Sequence, residues 1–337
     1  MAANIDWDNL SFSLTPTRTM FMAKCGPEGH WDIGRYLPFG DISISPAAGI
    51  LNYGQGLFEG LKALHTRQGE IVLFRPIENG KRMEEGAARL CMPAFPPERF
   101  VEVVKDIVKR NEDYIPPYGK GSLYIRPCLW GSGPILGVAP APEYTFMIYV
   151  SPVGPYFKTG FKPIKLVITT DYHRAAGKGT GGVKYVGNYA GGMIAAKKVK
   201  AQGYNECIYL DAREERYIEE VGAANFFCIK GNRLMTPALG SILPGITRKS
   251  VLRMAQDMLK MDVVEQPVSY EDALDADEAF CTGTAAVISS IGSITYRGTE
   301  KVFGGFSVGE KTRQLYDLLT QIQLKEKEDP YHWVMTL

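Results

Sequence analysis

The sequence lacks several things, and each shortage closes off a class of function. It has no basic excess, with 38 Lys and Arg against 37 Asp and Glu and a formal charge of +1, too little to hold a phosphate backbone. Nucleic acid is not expected as a partner. The longest apolar uncharged run, Tyr144 to Phe157, is broken by Pro152 and Pro155 and is too short to span a bilayer. No membrane crossing is expected. Four histidines at 30, 65, 173 and 332 offer no metal-ligand spacing, so a bound metal is not expected. The six cysteines (Cys25, Cys91, Cys128, Cys207, Cys228 and Cys281) contain no CxxC pair and read as reduced core residues. The opening stretch MAANIDWDNLSF has early acids and no apolar signal core, which reads as cytoplasmic; a mature organellar form with its presequence removed would look the same.

What is present suits a well-packed globular chain. The 337 residues, 45% hydrophobic and 11% aromatic, suffice for two domains with real cores. The first half is strand-rich: TMFMAKC, DISIS, GLKALHT, IVLF, SLYIRPCLW and YTFMIYVS alternate or run apolar. Two helices interrupt it, one after Arg75 and one from Glu98 with Phe100, Val101, Val104, Ile107 and Val108 on one face. GPYFKTGFKP concentrates glycine and proline, so the spacing predicts domains over 1–158 and 165–337 with a linker at 159–164. The second half alternates strands (KLVITT, ECIYLD, RYIEE, ANFFCIK, RLMTP, VVEQP, EAFCTG, AVISSIG) with helices from Tyr189 to Gln202, near Thr247, at SYEDALDA and at the end near Lys327. The fold class is α/β.

Two enzyme motifs fail a physical test. Gly177, Gly179 and Gly182 match G-x-G-x-x-G, but VKYVGNY follows where a dinucleotide site needs a helix. Gly305 to Gly309 match G-x-S-x-G around Ser307, with Asp329 and His332 following; too little chain remains to place a triad. Ser307 and Glu310 fit a capping box better.

The stretch that organises the rest is TGGVKYVGNYA, where Lys184 stands among Gly181, Gly182 and Gly187 with Tyr189 five places on. Glycines let a backbone approach a ligand closely, so this lysine can point into a pocket as an amine that forms an imine. A solvated loop lysine is the ordinary alternative. Arg75 ends the apolar strand IVLF, where a guanidinium can grip a phosphate. Leu243 to Ser250 open a helix whose free N–H groups at Ile246 and Thr247 make an anion site. Cys281 to Ala286 end a strand in a small-residue turn, with Thr284 and Ala285, that can cradle a second anion. Period two puts Tyr124 and Arg126 on one strand face, and a buried arginine needs an anionic partner, from protein or from substrate. Of Glu219 and Glu220, one faces inward if their segment is a strand.

LNYGQGLFEGLKA (51–63), LFRP (73–76), SLYIRP (122–127), GGVKYVGNYA, EEVGAANFF (219–227), ILPGITRKS (242–250) and CTGTAA (281–286) together resemble the branched-chain amino acid aminotransferases, and the wording is nearest to plant and bacterial members. The resemblance spans almost the whole chain. It implies a two-domain fold-type IV enzyme, a small α/β domain plus a larger pseudo-barrel domain, that uses pyridoxal 5′-phosphate (PLP) and works as a homodimer. It implies that Lys184 carries PLP, Tyr189 bonds the cofactor's phenolic oxygen, Glu220 faces the pyridine nitrogen, and Arg75, Ile246, Thr247 and Thr284 hold the phosphate. For the substrates, branched-chain amino acids, glutamate and their 2-oxo acids, it implies Tyr124 and the Thr284–Ala285 turn on the α-carboxylate and Arg126 on glutamate's second carboxylate. Tyr53 would line the side-chain pocket, and Val138 would reach in from the partner subunit. D-amino acid aminotransferases and aminodeoxychorismate lyases share the lysine and glutamate signatures, and a non-catalytic PLP-binding protein is the alternative of another class. Ala286 and Ser289 stand where animal mitochondrial relatives carry a CxxC pair.

Overall fold

The computed structural model describes residues 5–154 and 161–337. Contacts divide the chain into two compact units: Met1–Lys158 with Lys184–Val186 and Ile322–Leu337, and Thr159–Val183 with Gly187–Gln321.

The first unit is built on the strands Thr19–Cys25 (β1), Arg35–Pro38 (β2), Gly56–Phe58 (β3), Leu61–His65 (β4), Ile71–Phe74 (β5), Ser122–Gly131 (β6) and Tyr144–Val153 (β7). Its helices are Gly49–Tyr53 (α1), Pro76–Arg89 (α2) and Pro97–Arg110 (α3). The long β6–β7 hairpin, in register from Ser122↔Val153 to Gly131↔Tyr144, sets two unlike faces because side chains alternate along a strand. One face carries Leu129 opposite Phe146 and is covered by α3, whose Phe100 ring lies 6.0 Å from that of Phe146. Leu123, Ile125 and Leu129 are fully buried there, while Tyr124, Arg126 and Cys128, on the opposite face, are only half-buried. DISIS, expected as a strand, is irregular; the strand here is Arg35–Pro38, which pairs with β1.

The second unit holds Ile164–Ile168 (β8), Glu206–Leu210 (β9), Ile218–Val221 (β10), Ala224–Lys230 (β11), Arg233–Thr236 (β12), Asp262–Glu265 (β13), Glu278–Gly283 (β14), Val287–Tyr296 (β15) and Thr299–Val302 (β16). Pairing runs β10-β9-β8-β15-β14-β11, and the further pairing of β10 with β11 closes these six strands into a ring. A closed ring leaves those strands no bare edge. Phe227 and Phe280 stack at 4.8 Å on neighbouring ring strands, both fully buried. The helices are Gly187–Ala190 (α4), Met193–Ala201 (α5), Ile246–Asp257 (α6), Tyr270–Asp275 (α7) and Glu310–Gln323 (α8). The single helix expected from Tyr189 is thus two, parted at Gly191 and Gly192, where glycine weakens the helix.

Three expectations need correction. Ser307 does not cap the last helix, which starts at Glu310. Instead the Glu278 carboxylate of β14 accepts from the Lys311 and Thr312 N–H groups, at 3.1 and 2.9 Å, so a side chain distant in sequence satisfies the exposed first turn. A capping box does occur at Ser269 and Asp272 of α7. Cys91 is exposed and Cys128 half-buried, while the other cysteines are buried. The domain division also differs from the expected 165–337, because the strand Val334–Thr336 (β17) pairs antiparallel with β5 and returns to the first sheet. Residues 159 and 160 of the expected linker lie outside the described residues, and Ile164 already begins β8.

Candidate active site

In the first unit, the main chain around Lys184 is laid against β3. Phe58 N–H donates to the Lys184 carbonyl at 3.2 Å, Val186 N–H donates to Gly56 at 3.1 Å, and Leu57 and Tyr185 form a bridge. The backbone is therefore fixed independently of the side chain. Lys184 Nζ lies 4.6 Å from the centroid of the Phe58 ring, and the Arg126 guanidinium lies 4.8 Å from the same ring, so one aromatic ring neighbours two cationic side chains. Beside Phe58, fully buried Glu59 takes Arg82 in a two-pronged grip, Nε to Oε1 and a terminal nitrogen to Oε2, both at 2.8 Å, with Asn79 Nδ2 also 2.8 Å away. Burial alone would raise the Glu59 carboxyl, but Arg82, Lys184 and Asn79 hold it below the ordinary value.

Tyr124 and Arg126 share a face as expected, and a terminal Arg126 nitrogen donates to Tyr124 Oη at 3.3 Å. Glycine at position 60 lets the tyrosine ring sit close to the main chain, since a Cβ there would fall 2.1 Å from Tyr124 Oη and displace it. Directly across from Tyr124 in the β4–β6 pair stands Lys62, whose ammonium is pulled down to about 8 by burial. Sequence reasoning missed Lys62; its signal was the register, which places it opposite Tyr124 and so on the same face. Tyr53 ends α1 and donates its hydroxyl to the Leu136 carbonyl, bringing Tyr53 to the loop that carries Val138. Leu136 and Val138 are 91% and 87% exposed.

Arg75 follows β5 in left-handed backbone, φ 51°, which turns its side chain away from the strand. Its guanidinium stacks 4.8 Å over Trp333, and its N–H donates to the Trp333 carbonyl at 2.8 Å. Burial lowers its pKa against the pull of Glu78 and Asp329.

In the second unit, the glycines before Lys184 allow close backbone approach: a Cβ on Gly181 would sit 2.0 Å from the Ser241 carbonyl. Asn188 of α4 ties this run down, donating from Nδ2 to the Thr180 and Val183 carbonyls at 2.7 and 2.9 Å. A cavity of about 140 Å³ opens beside it, walled by Tyr189, Asn188, Glu220, Arg174, Leu243 and Gly222 among others. Both Glu219 and Glu220 are buried, not one of them. The β9–β10 register shifts between Ile218 and Val221, and such a bulge re-aims successive side chains. Only Glu220 reaches the cavity wall. Its Oε1 accepts from Leu243 N–H at 3.0 Å and Asn225 Nδ2 at 3.1 Å, and its Oε2 lies 3.2 Å from Arg174 Nε.

Asn225 also donates to the Leu243 carbonyl at 2.9 Å, so one side chain links the carboxylate to the turn that enters α6. That helix starts at Ile246, with Thr247 next, both buried. Its first N–H groups have no intrahelical acceptor. Thr284 and Ala285 occupy a short turn between β14 and β15, with Val287 in left-handed backbone at φ 58°.

The donor set fits PLP. Taken separately, the first unit offers an amine on Lys184 and the Arg75 guanidinium, suited to a phosphate, and the second offers the buried Glu220 carboxylate, suited to a pyridine N–H, and the α6 N-terminus, suited to a phosphate. Arg174 Nε and Glu219 Oε2 are buried without a hydrogen-bond partner. Such unsatisfied polar atoms beside a cavity mark a site that expects a polar occupant. Among the described residues, no cluster suited to a metal occurs and no helix is long and apolar enough to cross a membrane.

Comparison with known proteins agrees with this chemistry. Residues 56–294 match the model of the amino-transferase class IV family. A branched-chain-amino-acid aminotransferase of the chloroplast of Arabidopsis thaliana is 52% identical over 99% of this chain and 81% of its own. The crystal structure of an Escherichia coli branched-chain amino acid aminotransferase is similar with a TM-score of 0.82 and 26% identity, covering 94% of this chain and 98% of that one. A branched-chain amino acid aminotransferase of T.th., solved with pyridoxamine 5′-phosphate, gives a TM-score of 0.80 at 26% identity, over 96% and 99% of the two chains.

Proposed function

The chain belongs to the class IV aminotransferases, and on that premise we propose how its own residues divide the work. It is a PLP-dependent branched-chain-amino-acid transaminase that moves an amino group reversibly between leucine, isoleucine or valine and 2-oxoglutarate in ping-pong order. When bound, PLP supplies the electron sink that stabilises negative charge at the substrate's α-carbon.

Lys184 would hold the cofactor through its ε-amine, and the same amine, when free, would serve as general base and then general acid for the substrate's α-proton. The main-chain bonds of Phe58 and Val186 keep its attachment point still while the side chain swings. Glu220 keeps the ring nitrogen protonated, and Tyr189 meets the phenolic oxygen. Arg75 with Ile246, Thr247 and Thr284 holds the phosphate. Tyr124 and the Thr284–Ala285 turn take the α-carboxylate. Arg126 pairs with the distal carboxylate of glutamate, which would be costly to bury alone. Tyr53 supplies apolar surface to a branched side chain, and exposed Val138 does so across the interface of a homodimer. The reading covers a cytoplasmic or an organellar enzyme alike.

The observation that carries this reading is Glu220: a buried carboxylate on a cavity wall, its Oε1 held by two N–H donors. The test is a panel of 2-oxo acids with glutamate as amino donor, including the methionine-derived acid. Transfer to the three branched 2-oxo acids above the others is expected. Absence of transfer to all three would overturn the reading.

A further inference from the structure

Arg174 has no part in the roles assigned so far, yet it is among the most deeply buried charges beside the cavity. Its side chain is 7% exposed. One of its terminal nitrogens donates to the Ser241 carbonyl and lies 4.0 Å from Glu219 Oε2, while Nε lies 3.2 Å from Glu220 Oε2. Resting on the reading that Glu220 faces the cofactor's ring nitrogen, we propose that Arg174 is the positioning residue that keeps the Glu220 carboxylate charged and turned toward the cavity.

Two carboxylates adjacent in sequence are buried here against one guanidinium. A buried carboxylate without a countercharge takes up a proton instead. The other titratable groups around the cavity, Tyr189 from α4 and Glu206 and Tyr209 from β9, bring no positive charge. Arg174 cannot satisfy both acids equally, and the hydrogen bonds decide between them. Glu220 Oε1 accepts two N–H donors that favour its ionised form. Glu219 has one hydroxyl, from Ser241, and an Oε2 with no hydrogen bond. Burial pushes the Glu219 carboxyl above its ordinary value despite Ser241 and Arg174, with Asp211 raising it further and His173 opposing. Glu219 is therefore the less well supported charge of the two, and the guanidinium, nearer to Glu220 at 3.2 Å than to Glu219 at 4.0 Å, serves Glu220 first.

The geometry also leaves room for the pair to tighten. The Arg174 Nε–H is not aligned with Oε2 and has no other acceptor, and catalytic hydrogen bonds commonly shorten when a site is filled. A modest turn of the Glu220 carboxylate completes this bond. The Ser241 carbonyl, fixed beside Gly181, prevents the guanidinium from swinging away.

The test is a double-mutant cycle on the PLP-loaded enzyme with Arg174→Met, Glu220→Gln and the double variant, and with Arg174→Lys as the conservative change. Two quantities are read: the pH at which the visible absorbance of the bound cofactor titrates, and kcat and KM for leucine. Arg174→Met is expected to move the titration in the same direction as Glu220→Gln and to lower kcat at least about tenfold with little change in KM. Added to Glu220→Gln, it is expected to cost less than about threefold more, because residues acting through one another do not add. Additive losses, or an unmoved titration with lowered activity, would reduce Arg174 to a packing role and overturn the proposal. Should Arg174→Met not fold, Arg174→Lys decides: a titration between the parent and Glu220→Gln supports the proposal, and one identical to the parent overturns it. If Glu220→Gln itself moves neither quantity, the premise about Glu220 fails, a result distinct from failure at Arg174 alone.

Discussion

The ammonium of Lys184 lies 4.6 Å from the centre of the Phe58 ring, on a backbone that Phe58 itself helps to hold. One residue thus fixes both ends of the lysine, its main chain through a hydrogen bond and its charge through the ring face. The arrangement separates what the side chain does from what keeps the loop in place.

Lys184→Ala is accordingly expected to abolish turnover while leaving the melting temperature within a few degrees of the parent, since the bonds that seat residues 184–186 are main-chain bonds. Calorimetry and a transamination assay on the same preparation check this. Turnover within about tenfold of the parent would remove Lys184 from the chemistry.

Arg126→Met is expected to depress kcat/KM for glutamate and 2-oxoglutarate at least about tenfold more than for leucine, as a hydrogen bond to a charged group is worth roughly 1.5–3 kcal/mol. Half-reaction kinetics with each amino acid make the comparison. Equal losses would mean that Arg126 serves only Tyr124, to which it already donates.

Arg82→Met breaks a buried pair and strands the Glu59 carboxylate, at an expected cost of about 3–5 kcal/mol near neutral pH. The sign with pH follows from linkage. Glu59 has a lowered pKa in the folded chain, so its contribution is present above the unfolded carboxylate range and is lost as the pH falls through the folded value. In the variant, Glu59 is relieved by protonation. The difference in melting temperature between parent and variant should therefore shrink on acidification, and a constant difference would refute the account.

Thiol chemistry should be simple. Cys91 is the exposed cysteine, and burial raises Cys128 and Cys207 to about 11 and Cys228 and Cys281 to about 12, where almost no thiolate exists near neutral pH. A thiol reagent is expected to label Cys91 quickly in the native protein and the buried thiols only on unfolding. Ala286 and Ser289 cannot form a disulfide, so activity lost to an oxidant and recovered with a reductant, mapped to that turn, would contradict this.

Much of this was legible beforehand because the signals were local. IVLF, ANFFCIK and EAFCTG are strands at the expected residues, and the start of α6 and the turn at Thr284 follow from a Pro-Gly pair and a run of small residues. Site candidates were proposed on such elements because their residue types and the motifs around them are local. What escaped depends on pairing between distant segments. Nothing near Val334 announces β5 as its partner, and nothing in EKTR reveals that Glu278 caps it. Arg174 was missed for the same reason: among HRAAG it looks like a loop charge until the fold sets two glutamates beside it. Both Glu219 and Glu220 are buried because every residue of β10 is, in a strand whose register with β9 shifts, and a strict period of two does not foresee this.

The pairing of β17 with β5 also bears on the order in which the protein can mature. Arg75 is backed by the ring and carbonyl of Trp333, a residue that leaves the ribosome long after Arg75 does. On the reading proposed, the grip on the cofactor's phosphate is unfinished until the segment around Trp333 has emerged. A nascent chain halted before Trp333 would display the lysine loop without the means to retain its ligand tightly.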